Sequence, residues 1–132
     1  MNNADRIHAI YAAFGKGDIA TIVETTAEDV DWGYDGEPPA VLAWLKAGKG
    51  RQRVLEYFDG VMKTMDFHAF VPRVVAAQGH EVATMVEVDF TSKTTGKRVK
   101  GIQAMWFTLD DRGRITRYRI VLDSAAHFAA YA

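Results

Sequence analysis

Apolar positions along the chain change period near residue 65. Before it they recur at helical spacing, and after it they alternate. Ile7, Ile10, Tyr11 and Phe14 fall at i, i+3, i+4 and i+7, which predicts one apolar stripe on an opening helix ending near Gly15. Asp18 is placed to cap a short second helix carrying Ile19, Ile22 and Val23. From Asp29 to Tyr34 the pattern alternates, with Val30, Trp32 and Tyr34 on one side, and predicts a strand. Gly36-Glu37-Pro38-Pro39 breaks regular structure, and the run to Gly50 reads as an apolar loop with one helical turn. Val54, Tyr57, Phe58, Val61, Met62 and Met65 then give the strongest helical periodicity in the chain.

Downstream, four segments rich in Val, Ile, Phe, Trp and Thr predict strands over 67–77, 81–92, 99–109 and 115–122. The separators Gln78-Gly79-His80, Lys93-Thr94-Thr95-Gly96 and Asp110-Asp111-Arg112-Gly113 are short turns that join antiparallel neighbours, so the order is a meander. The economical way to bury these stripes is an α+β domain: three N-terminal helices packed on a strongly curved antiparallel sheet, enclosing a cavity. At 132 residues the chain fits one domain, 1–132.

Composition removes several classes of function. Sixteen Lys+Arg against seventeen Asp+Glu give no basic face for nucleic acid. The lack of cysteine removes thiol nucleophiles, thiolate metal sites and disulfides, and fits a cytoplasmic protein. No stretch approaches the roughly 20 apolar residues of a membrane span, and the first residues lack an apolar signal segment. Four scattered histidines form no zinc-type pair, and Gly48, Gly50 and Gly96 form no phosphate loop.

Phe14-Gly15-Lys16-Gly17-Asp18, Asp29-Val30-Asp31-Trp32, Gly50-Arg51 opening a helix, Thr95-Gly96-Lys97 and the ending Gly113 to Ala125 occur in a recognisable order. In this order the chain resembles SnoaL-like polyketide cyclases of the nuclear transport factor 2-like superfamily, which also holds ketosteroid isomerase and limonene epoxide hydrolase. The resemblance implies a cone with a deep cavity, a homodimer through the sheet, and chemistry without metal or organic cofactor. It does not fix a substrate, because the superfold hosts enzymes and binding proteins alike.

Strand alternation selects the side chains expected to bind a small apolar organic ligand. Trp32 and Tyr34, Val86 and Val88, Gln103 and Met105, and Tyr118 and Ile120 face inward, and Tyr11, Phe14, Tyr57, Phe58 and Met62 reach the same space from the helices. Where the resemblance implies an acid/base aspartate on the last strand, the matching residue is Ile120. The epoxide hydrolase Arg-x-Asp positions match Val86 and Val88, and Asp31 faces away from the cavity. A one-residue slip would bring Glu87 and Asp89 inward instead. His68 is the candidate base, while His80 reads as a solvated turn residue and His127 as tail packing. Asp123 reads as a cap, and Arg117 and Arg119 as cross-strand partners of Glu87 and Asp89. Two readings stay open: a cofactor-free cyclase or isomerase acting on a polyketide- or steroid-like carbonyl compound, and a non-catalytic ligand-binding or dimerisation module.

Overall fold

The computed structural model describes residues 1–132. Helices α1 (Asn3–Gly15) and α2 (Ile19–Glu24) lead into strand β1 (Thr26–Gly33). A 3-10 segment (Ala40–Leu45) and the short strand β2 (Gly48–Lys49) precede helix α3 (Arg51–Thr64). Strands β3 (Met65–Gln78), β4 (Glu81–Ser92), β5 (Arg98–Leu109) and β6 (Ile115–Val121) follow, and α4 (Ser124–Ala129) ends the order. Side-chain caps start three of the helices. Asn2, Asp18 and Asp123 accept from the backbone amides of Asp5, Thr21 and Ala126 respectively, satisfying donors that a first turn leaves free.

The six strands form one sheet in the order β2-β1-β6-β5-β4-β3. The meander from β3 to β6 is antiparallel as the turns predict, but β1 runs parallel to β6, so the sheet is mixed. The alternation that identifies β1 carries no information about its direction, which is set by the long connection through α3 and the meander. β1 also begins earlier than the alternation suggests, and β2 and α4 are too short to show a period.

Buried residues on β4 are Val82, Thr84, Val86, Val88, Phe90 and Ser92, so the alternation there has the expected phase. The β3–β4 register shifts between Phe67 and Ala69 and again between Pro72 and Val74. The irregularities therefore fall at His68 and Arg73 on β3, and β4 pairs with β5 without interruption. Glu87 and Asp89 stay outside, where Arg73 and Arg98 pair with them. This differs from the pairing expected with Arg117 and Arg119. Arg117 instead lies over the Trp106 ring at 4.9 Å, and Arg119 turns to Asp31 and Asp35.

The core is one cluster between the inner sheet face and the helices, including Ile7, Ile22, Val30, Trp32, Val54, Phe90, Phe107 and Ile115. β1 can end where it does because residue 33 is glycine. Its φ is +141°, and a Cβ there would fall 2.6 Å from the backbone Cα of Ala47. No helix is long and apolar enough to cross a membrane.

Candidate ligand cavity

Between the helices and the inner sheet face lies a cavity whose empty volume, counted with its open mouth, is about 590 Å³. Seventeen of its nineteen lining residues are hydrophobic. From α1 come Ile10, Tyr11 and Phe14, and from α3 Tyr57, Phe58 and Val61. The sheet supplies Trp32, Gln103, Met105, Phe107, Tyr118 and Ile120 among others. Nine of the thirteen side chains selected by strand and helix phase thus line one space: Tyr11, Phe14, Trp32, Tyr57, Phe58, Gln103, Met105, Tyr118 and Ile120.

The other four do not reach it, and each has a physical reason. Tyr34 follows the end of β1, is half-buried, and meets the edge of the Phe128 ring at 5.8 Å. Met62 sits on the solvent side of α3, 41% exposed, and Met65 lines the wall in its place. Val86 and Val88 point inward but are sealed within the core. His68, the candidate base, is also outside: the β3 irregularity turns it to solvent, where its Nε2 lies 2.7 Å from Thr91 Oγ1.

At the centre of the wall the rings interlock. Trp32 stacks on Tyr118 with centroids 4.1 Å apart, and Trp44 meets Tyr57 edge-on at 5.4 Å. The phenol oxygens of Tyr57 and Tyr118 are 3.0 Å apart. One proton is used between them, and the second phenol proton has no protein acceptor. Burial pushes the Tyr57 phenol up to about 12 and the Tyr118 phenol well above its ordinary range, so both stay neutral donors at neutral pH. Tyr11 is also raised by burial, and its hydroxyl lies 2.7 Å from Thr84 Oγ1.

Three buried side-chain nitrogens have no hydrogen-bond partner: Trp32 Nε1, Trp44 Nε1 and His127 Nε2. All three belong to residues of this wall. An unsatisfied buried polar atom costs about 1–3 kcal/mol, and all three here sit in residues that line one cavity. His127, expected to be tail packing, is 2% exposed among Phe90, Phe128 and Tyr131, and burial pushes its imidazole down to about 4. The sequence signal for it lies in Asp123 as a cap followed by His127, Ala130 and Tyr131 at helical spacing, all buried. Trp44 carries no such signal, because it belongs to a segment without a period. No aspartate or glutamate lines the cavity, and no group of three or more His, Cys, Asp or Glu side chains forms a metal-type cluster.

A family model described as a SnoaL-like domain matches residues 7–118. Among solved structures, a nuclear transport factor 2-like protein from Burkholderia xenovorans superposes with a TM-score of 0.85 at 20% identity, covering 98% of this chain and 95% of that one. TerC, co-crystallised with polyporic acid, gives 0.81 at 23% identity, with 98% and 97% covered. An LEH-like epoxide hydrolase from M. tuberculosis gives 0.73 at 19%, with 98% and 88% covered. At these identities the likeness is one of fold. No curated protein sequence matches the chain.

Proposed function

This chain belongs to the SnoaL-like domain family, and from that premise we propose that it binds a small apolar organic compound inside the cavity and grips a carbonyl oxygen of that compound. The observation that carries this reading is the pair of indole nitrogens, Trp32 Nε1 and Trp44 Nε1, buried in the cavity wall without an acceptor. Indole N–H groups only donate, as does the second proton of the Tyr57–Tyr118 pair, so this part of the wall asks for acceptor oxygens. The apolar remainder suits a ring system and supplies shape rather than charge. TerC, similar in fold, was crystallised with polyporic acid, which supports an organic ligand.

The test is a titration with methyl naphthyl ketone, followed by tryptophan fluorescence and by the indole N–H proton resonances. Binding with downfield shifts of two indole protons is the expected result. Saturable binding without those shifts, or no binding, removes the carbonyl reading.

A second reading is favoured by the phenol pair. Neutral donors held in an apolar site stabilise an enolate as it forms, which is the contribution a cyclase or isomerase of a carbonyl compound requires. Exchange of the ketone's α-protons for deuterium above the buffer rate, abolished in Tyr118→Phe, would support this reading.

The opposite face of the sheet suits a second copy of the chain. Val74, Met85, Ala104 and Val121 stand in one register row across β3 to β6, and Ile102 and Trp106 adjoin that row. Five of these six are large apolar side chains between 43% and 61% exposed. The cysteine-free composition supports a cytoplasmic setting.

A further inference from the structure

His127 stands apart from the donor cluster. Its ring neighbours are Phe90 at 5.2 Å, Phe128 at 5.9 Å and Tyr131 at 5.9 Å, and no ring contact joins it to Trp32, Trp44, Tyr57 or Tyr118. The residues lining the cavity therefore carry two separate sets of unpartnered polar atoms: a cluster of donors, and one imidazole nitrogen on α4. The three rings around the imidazole carry no charge, and neither a carboxylate nor a hydroxyl is bonded to Nε2. With no acid beside it and burial lowering its pKa, the imidazole is uncharged at neutral pH. A neutral imidazole has one donor and one acceptor nitrogen, and with the proton on Nδ1 the acceptor is Nε2.

We propose that His127 is the specificity-determining residue that accepts a hydrogen bond at Nε2 from a hydroxyl of the ligand, so that the cavity selects hydroxylated apolar ring compounds over their ethers and parent hydrocarbons. This rests on the reading of the cavity as a binding site and adds to it the second functional group of the ligand. The alternative, that His127 merely fills space, leaves Nε2 unsatisfied at the full desolvation cost, where a phenylalanine would fit among the same rings without it.

The experiment compares three probes of nearly one shape: 2-naphthol, which donates; 2-methoxynaphthalene, which only accepts; and naphthalene. Dissociation constants come from quenching of tryptophan fluorescence. The wild-type protein binds the naphthol about 3- to 10-fold more tightly than the ether, the range one net hydrogen bond provides. In His127→Phe that ratio falls to about one. A wild-type ratio near one, a ratio that survives in His127→Phe, or a preference for the ether each overturns the proposal. If none of the probes binds, the binding reading itself fails. If naphthalene binds without discrimination, only the role of His127 fails. Should His127→Phe not fold, the His127 side-chain ¹⁵N resonances of the wild type decide: a shift at Nε2 with naphthol and none with the ether supports the assignment, and equal responses overturn it.

Discussion

The ring of Trp44 occupies the space that any side chain at Gly60 would need. A Cβ at Gly60 would fall within contact distance of Trp44 Cγ, Cδ2 and Cε2. Gly60 lies inside α3, where glycine costs about 1 kcal/mol against alanine, so helix propensity alone favours its replacement. Gly60→Ala is expected to act in the opposite direction, lowering stability by about 1–3 kcal/mol through overpacking and moving Trp44 off the cavity wall. Chemical denaturation together with tryptophan fluorescence measures both effects. A stabilised variant with an unchanged spectrum would show that Trp44 yields freely.

His127 makes stability depend on acid. Its folded pKa of about 4 lies below the ordinary 6.5, so the unfolded chain takes up the proton first. The stabilisation is therefore complete above about pH 6.5 and is lost as pH falls toward 4. With each pKa unit worth about 1.4 kcal/mol, roughly 2 kcal/mol should disappear between pH 7 and pH 5. Urea unfolding at the two pH values reads this directly, and His127→Phe should flatten that part of the profile.

The phenols act at the other end of the scale. Tyr57, pushed up to about 12, and Tyr118, raised further from the usual value, are neutral when folded. Their raised values stabilise the fold below about pH 10, and this contribution fades as pH climbs through the folded values. Phenolate absorbance should show four late-titrating tyrosines in the native protein, because burial also raises Tyr11 and Tyr131. Tyr118→Phe should cost about 1–2 kcal/mol and leave one fewer of them.

Arg119 separates a buried contact from an exposed one. Its side chain, 11% exposed, donates to Asp31 Oδ2 at 2.9 Å and to Asp35 Oδ1 at 2.6 Å, and Asp35 itself is 68% exposed. Asp35→Ala should change stability by less than about 1 kcal/mol. Arg119→Ala should cost about 2–4 kcal/mol, because it removes a ligand of two strands and leaves Asp31 unpaired at the β1–β6 seam. Thermal melts of both variants compare the two directly, and equal effects would refute the distinction.

The exposed row on the outer sheet face predicts self-association. Sedimentation equilibrium of the wild type should give a dimer, and Met85→Glu should give a folded monomer by placing a charge in the middle of the row. A monomeric wild type at micromolar concentration would leave the face without this role.

Legibility in the sequence follows period. α1 and α3 carry long apolar stripes, β4 and β5 pair without interruption, and Tyr118 and Ile120 keep one phase on β6 beyond its irregularity at Thr116, so these inward faces, and with them Tyr57, Gln103, Met105, Tyr118 and Ile120, were legible in the sequence. His68 misled because alternation counts residues and β3 has an irregularity at that residue. Trp44 was invisible, since a 3-10 segment of six residues has no face to read. His127 was legible only through its cap, and the direction of β1 depends on a partner strand far along the chain.

That distance shapes the order in which the protein can assemble. Asp31 and Arg119, paired across the β1–β6 seam, are 88 residues apart. Apart from the two-residue β2, which pairs with one side of β1, the segments α1, α2 and β1 gain no sheet neighbour until the whole meander is in place, because the strand on the other side of β1 is the last of the six. Closing so long a loop before the contacts that compensate for it slows folding. During synthesis the first 33 residues, with Trp32 among them, would leave the ribosome as an apolar surface waiting for β6, and in that interval the chain most needs protection from its neighbours.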